Sequence, residues 1–267
     1  MSNPEIYDVF AIRYGTYAAR KRAENFIMTD LHESSMPLDY YVWAIVNENR
    51  TIVVDTGFDH ADAKARQREI TCLPRDGLAM AGIDSTTVED VIVTHLHYDH
   101  AGTLDDFPAA RFHVQDSEMA YATGRHMMHK PFGYAYTARH VTAMVERLFA
   151  GRVAFHDGAD EIAPGISVHH IGGHTMGIQC VRVLTKRGWV VLASDASHFY
   201  ENMEAVAPFP IVYSVGDMVQ GYDKMRRLAE SGQHIIPGHD PLVMARYPAL
   251  SADAAGTVVR LDVAPKG

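Results

Sequence analysis

The sequence predicts an α+β fold made of two mixed β-sheets with helices on their outer faces. Two observations predict it. Short runs of β-branched and aromatic residues bounded by turn residues recur along the whole chain. They are joined both as hairpins ("YYVWAIV" then "TIVVDTG", "QCVRVLT" then "WVVLASD") and as strand–helix alternations. Hairpins alone would predict an antiparallel sandwich and alternation alone a parallel sheet, so both together predict mixed sheets.

The elements follow in order. "YYVWAIV" (40–46) and "RTIVVDTG" (50–57) read as the first hairpin, and residues 60–71 as a helix. The short segment "GLAMAGI" (77–83) reads as a second helix before the strand "VEDVIVTH" (88–95) and the strand "ARFHVQ" (110–115). Helices are predicted over 116–124 and 137–150. The strands "GISVHHIGG" (165–173), "QCVRVLT" (179–185) and "GWVVLASD" (188–195) come next, then a helix over 215–231 and the strand "QHIIPGH" (233–239). No internal repeat or low-complexity linker divides the chain, which predicts a single domain over residues 1–267. The Met-, Tyr- and His-rich stretch at about 117–150 interrupts the strand series. It is a candidate helical lid insertion or pocket wall, with a solvated helical hairpin as the plainer alternative.

Composition bounds the function. A chain of 267 residues with 47% hydrophobic content can bury a sizeable core. The formal net charge of -9 and a pI near 5.9 argue against nucleic acid as a partner. No apolar run reaches the roughly 18 residues of a membrane span, and the N-terminal residues lack the pattern of a secretory signal, so a cytoplasmic location without membrane contact is expected. Cys72 and Cys180 are too few and too far apart for a disulfide framework and are read as reduced.

The chemistry concentrates in "VIVTHLHYDHAG" (91–102), where three histidines and an aspartate fall within six positions directly after a strand. In extended chain His95 and His97 face one side, while Asp99 and His100 follow at a turn and approach from another direction. Two adjacent ion positions explain both sets better than one closed tetrahedral zinc. Three further residues end apolar runs beside glycine or a turn: His174 in "GGHTMG", Asp195 in "LASDASH" and His239 in "IPGHDP". Five histidines and two aspartates form a nitrogen–oxygen donor set suited to zinc.

These motifs, in this order, resemble the metallo-β-lactamase superfamily, and within it the branch of N-acyl homoserine lactonases. The resemblance covers roughly residues 38 to 245 and rests on "THLHYDH", "GGHTMG", "SDASH" and "PGHD". It implies a four-layer αβ/βα sandwich with the metals at one edge. It also implies that His95, His97 and His174 hold one zinc, that Asp99, His100 and His239 hold the other, that Asp195 bridges, and that Asp55 in "VVDTG" orients a ligand histidine. Iron or manganese could replace the zinc.

The resemblance further implies a metal-dependent hydrolase, a lactonase with a quorum-quenching or catabolic role. A metal-bridging hydroxide would open the ring of an N-acyl homoserine lactone or another small lactone, with Asp99 passing the proton to the leaving oxygen. Asp195 in place of cysteine separates the chain from zinc β-lactamases with a ligating cysteine, and His97 in place of glutamate separates it from oxygen-reducing di-iron members. The rivals are a thioesterase of the glyoxalase II type or another cyclic ester or amide hydrolase, an RNA-processing phosphodiesterase, and a zinc-binding protein without catalysis. A homodimer is expected from the monomeric and dimeric forms of related lactonases.

There are departures. Where homoserine lactonases carry a tyrosine thought to bind the substrate carbonyl, this chain has His198, an alternative donor expected to change charge near pH 6.5. Their usual proline and second histidine are Gly172 and Ile178 here. His198, Tyr200, Arg125 and His129 are the candidate substrate contacts. His32, His60, His113, His140, His156 and His234 lack motif support and read as surface or hydrogen-bonded residues. His169 and His170 point to opposite faces of a strand, which leaves one of them a candidate near the site. Arg13, Arg20, Lys21 and Arg22 read as an exposed basic face.

Overall fold

The computed structural model describes residues 3–28 and 34–266; His32 lies outside the described residues. In chain order the elements are β1 (Asp8–Tyr17), β2 (Leu38–Val46), β3 (Thr51–Val54), α1 (His60–Arg66), β4 (Glu69–Ile70), α2 (Pro74–Met80), β5 (Asp90–Ile92) and β6 (Arg111–Gln115). They continue with α3 (Asp116–Ala122), α4 (Lys130–Gly133), α5 (Ala138–Phe149), β7 (Val153–His156), β8 (Ala159–Ala163), β9 (Ile166–His170), β10 (Gln179–Thr185) and β11 (Gly188–Ser194). The last are α6 (Tyr200–Glu204), α7 (Val215–Leu228), β12 (Ile235–Pro237), α8 (Leu242–Arg246) and β13 (Val258–Arg260).

The strands form two mixed sheets, as predicted. The first runs β13-β1-β2-β3-β5-β6-β7, with β4 pairing β1, and the second runs β12-β11-β10-β9-β8. In the first sheet β3, β5, β6 and β7 are parallel, and in the second β12 is parallel to β11. The remaining neighbours are antiparallel.

The period of two along each strand explains the layering. Val9, Ala11, Tyr41, Trp43 and Ile45 share a core with Val168, Val181, Val183 and Val190 of the second sheet, and that core continues to Met218, Tyr222 and Met225 of α7. Their neighbours Phe10, Ile12, Val42 and Ala44 point the other way, against Leu78 of α2 and Met144 of α5. The order helix, sheet, sheet, helix is the four-layer sandwich.

Several elements differ from expectation. β1 escapes the sequence reading because both of its faces are buried, so the apolar-in, polar-out signature is absent. β4, β7, β8 and β13 are too short or too polar to stand out; β8 is the edge strand "ADEIA", with its acidic residues exposed. The first predicted helix stops at Arg66 because Gln67 is left-handed (φ 55°), and residues 69–70 turn back to pair with Gly15 and Thr16. The predicted basic face is also corrected. Arg20 is only 7% exposed and donates to Asn25 and the Glu24 carbonyl, Arg13 pairs with Asp39, and Arg22 pairs with Glu201. Residues 117–150 are largely helical, forming most of α3, a 3-10 turn at Arg125–Met128, then α4 and α5.

Candidate metal centre

Every element that carries a motif residue ends at the same edge of the sandwich. Asp55 follows β3; His95, His97, Asp99 and His100 follow β5; His174 follows β9; Asp195 follows β11; His239 follows β12. Carboxyl ends of parallel strands open a crevice between diverging loops, which is where α/β sheets place ligands.

The side chains sort into two groups. His95, His97, His174 and Asp195 offer ligand atoms that lie mutually within 4.8 Å, and so do Asp99, His100, Asp195 and His239. Asp195 belongs to both, and its two oxygens divide between them. Oδ2 lies 3.8 Å from His95 Nε2 and 3.3 Å from His174 Nε2, while Oδ1 lies 3.3 Å from His100 Nε2 and 2.9 Å from His239 Nε2. Asp99 Oδ2 stands 3.7 Å from both His100 Nε2 and His239 Nε2. All seven residues are buried.

The outer nitrogens decide what these groups can bind. His174 Nδ1 donates to the Ile211 carbonyl and His239 Nδ1 to the Asp39 carbonyl, each at 2.7 Å. His100 Nδ1 lies 2.7 Å from Asp55 Oδ2. A carbonyl only accepts, so Nδ1 of His174 and His239 must carry the proton, and a neutral ring then turns its Nε2 lone pair inward. Burial holds His95 and His97 well below the usual imidazole range, so neither ring is a cation. Nε2 of His95 and of His100 are buried without a hydrogen bond. Burial lowers His100 and His239 too, but the carboxylates of Asp195, Asp55 and Asp99 outweigh it and hold His100 well above the usual imidazole range, and Asp195 and Asp99 raise His239. The cluster attracts positive charge, and its mixed nitrogen and oxygen donors fit zinc.

Local backbone geometry supports the arrangement. Asp55 (φ 62°) and Ser194 (φ 47°) are left-handed, a conformation that non-glycine residues adopt where the surroundings enforce it. Asp55 accepts from the Thr94 amide and hydroxyl, and Thr94 Oγ1 also bonds Ser194 Oγ, so these residues tie β3, the loop after β5 and β11 together beneath the site. Gly172 has φ 74°, which a proline ring cannot adopt, and this explains the residue at that position.

Sequence reasoning missed Glu118. This fully buried carboxylate accepts from the Leu96 amide, the Gly177 amide, the Thr175 hydroxyl and the Tyr136 hydroxyl. It thus bolts the loop of His95 and His97 to the loop of His174. No local pattern reveals it, because its partners come from three separate segments and two are backbone amides.

A cleft with about 410 Å³ of empty space opens onto both groups, lined by His97, Asp99, His174, Asp195, His198 and His239 on its floor. Its walls include Leu38, Tyr40, Tyr98, Tyr134, Ala135 and Ile211, with Arg20, Arg66 and Arg68. His198 stacks on Phe209 with ring centroids 3.5 Å apart, and its Nε2 donates to Asp195 Oδ2 at 3.0 Å. Burial holds its pKa well below the ordinary value, so the expected change of charge near pH 6.5 is corrected to a ring that stays neutral there. The other candidate substrate contacts lie elsewhere. Arg125 and His129 are exposed and do not line the cleft, and Tyr200 is buried in the core beneath Arg246. His169 and His170 bond Ser167 and the Met176 carbonyl and belong to neither group. His113 and His156 pair with each other and with Asp90 and Asp160, while His140 pairs with Asp62.

Comparison with known proteins bears on the family and the fold. The model of the metallo-beta-lactamase superfamily matches residues 36–253. An N-acyl homoserine lactonase, AttM, of Azorhizobium caulinodans is 30% identical over 169 residues, covering 60% of this chain and 61% of that protein. A probable metallo-hydrolase of Mycobacterium tuberculosis is 25% identical over 209 residues, covering 74% of this chain and 64% of that protein. The match therefore spans less than two thirds of either relative's length. A solved quorum-quenching N-acyl homoserine lactone lactonase superposes with a TM-score of 0.73 at 21% identity, covering 90% of this chain and 95% of that one. At that identity the superposition establishes the fold. No helix among the described residues is long and apolar enough to cross a membrane.

Proposed function

Because the chain belongs to the metallo-beta-lactamase superfamily, we propose that it is a dinuclear zinc hydrolase that opens the ring of a small lactone. The observation that carries the reading is the shared Asp195, whose two oxygens face two separate sets of histidine nitrogens. His95, His97 and His174 would hold one ion, Asp99, His100 and His239 the other, and Asp195 both. Two ions so held would supply a nucleophilic water at neutral pH and polarise a carbonyl oxygen.

The residues of the chain do the rest. Asp55 keeps His100 in the tautomer that presents Nε2, and the carbonyls of Ile211 and Asp39 do the same for His174 and His239. Tyr14 donates to the Asp99 carbonyl and fixes the backbone beneath its carboxylate, which lines the cleft. In the reaction the oxygen of water bonds to the lactone carbonyl carbon and the bond from that carbon to the ring oxygen breaks. Asp99 accepts a proton from the water and returns it to the departing ring oxygen, leaving a hydroxy acid that ionises. His198, held on Asp195, shapes the floor beside the carbonyl. The relatives named as N-acyl homoserine lactonases support the lactone class.

The arginines of the wall supply the basic pocket that a glutathione thioesterase would need, so this second reading belongs in the same test. Zinc-loaded protein is assayed with a pH indicator against lactones differing in ring and acyl chain, alongside S-lactoylglutathione and a phosphodiester. Turnover of lactones is expected. Turnover of the thioester alone would replace the proposal with the thioesterase reading, and metal binding without any turnover would leave a zinc protein without catalysis.

A further inference from the structure

The wall of the cleft is cationic although the chain has a formal net charge of -9. Arg20, Arg66 and Arg68 all line it, and among the described residues their hydrogen bonds go to neutral oxygens. Arg20 donates to Asn25 Oδ1 and the Glu24 carbonyl, each at 2.8 Å. Arg66 donates to the Tyr134 and Tyr136 carbonyls and to the Thr137 hydroxyl, which commits it to holding that segment over the site. Arg68 donates through Nη1 to the Arg66 and Gln67 carbonyls, and its Nε is buried without a partner. None of these acceptors neutralises a guanidinium.

The heads are also fixed in place. Arg68 lies 3.9 Å over the ring of Tyr17 and Arg66 lies 3.9 Å over the ring of Tyr98. The left-handed Gln67 at the end of α1 turns the chain so that both flanking arginines face the cleft. Such held, partly desolvated guanidinium groups make a preformed anion receptor. A neutral substrate filling the cleft would strip water from the half-buried Arg68 and return no counter-charge to it or to the buried Arg20, a cost that disfavours it.

We propose that this wall selects lactones bearing a second, anionic group, a carboxylate received by Arg68 and Arg20 while the scissile carbonyl rests on the histidine and aspartate floor. The inference rests on the lactonase reading of that floor and narrows its substrate class. It also moves the candidate substrate contact away from Arg125 and His129, which are exposed outside the cleft.

The test compares two ligands of one shape, 5-oxotetrahydrofuran-2-carboxylate and its carboxamide, on the zinc-loaded protein. The carboxylate is expected to have a kcat/KM about tenfold or more above that of the amide. In Arg68→Gln this ratio should fall to about one, mainly through KM, and Arg68→Lys, which keeps the charge, should retain part of it. Calorimetric binding of the two ring-opened products gives a readout independent of turnover, with the diacid expected to bind more tightly than the hydroxy-acid amide. Equal kcat/KM and equal binding would overturn the proposal. Absence of turnover with the binding preference intact would instead overturn the lactonase reading and leave the anion receptor standing; loss of both would remove both.

Discussion

Single nitrogens of the two groups are oriented by the protons on their far side. His174 and His239 give their Nδ1 protons to backbone carbonyls, so the nitrogens facing Asp195 have none to share unless the rings are charged. Asp99 and His198 both line the cleft, but their positions separate their roles. Asp99 faces His100 and His239 and in the proposed reaction would serve the second group and the proton transfer, whereas the His198 ring bonds Asp195. Asp99→Ala is expected to lower kcat by about a hundredfold or more and to weaken occupancy of the second ion. His198→Phe should slow turnover with both zincs retained, and its pH profile between about pH 5.5 and 7.5 should keep the wild-type shape. Full activity in Asp99→Ala, or a wild-type inflection near neutrality that His198→Phe abolishes, would contradict these roles. At this scale the sequence was most legible for the seven residues of the two groups, because four of them fall within six positions and the other three each follow a strand. It was least legible for the wall: Arg20, Arg66 and Arg68 come together only through the left-handed Gln67 and the burial of Arg20.

At the scale of elements, the site depends on loops from different strands keeping register, and Glu118 at the start of α3 is the common anchor. Its carboxylate accepts four hydrogen bonds, two of them from backbone amides. Glu118→Gln replaces one accepting oxygen with a donor facing other donors, which costs about 1–3 kcal/mol for each buried group left unpaired. The expected outcome is a lower Tm together with zinc binding about tenfold weaker, read by calorimetry while the far-ultraviolet circular dichroism stays the same. Unchanged zinc affinity would show that the two loops hold their positions without this anchor. The hairpins and the parallel strands β5 and β6 were readable from their periodicity and flanking turns. β1 was not, because a strand buried on both faces loses its alternation, and β4 exists only through pairing with β1.

At the scale of the whole molecule, the two sheets and their outer helices bring the ends of β3, β5, β9, β11 and β12 to one edge, so residues from position 55 to position 239 meet in one cleft. The sequence could order these motifs, but the cleft wall required the assembled sandwich. A rigid scaffold with its functional groups on connecting loops is the usual division of labour in such folds. In the proposed function two ions would share Asp195 and act together on a lactone. The most direct measurement titrates zinc into the chelated protein and follows lactone hydrolysis at each addition. The predicted result is activity that saturates at about two zinc ions per chain, the number one bridging carboxylate and two ligand groups can hold. Saturation at a single ion, or lactone hydrolysis that persists after exhaustive chelation, would contradict it.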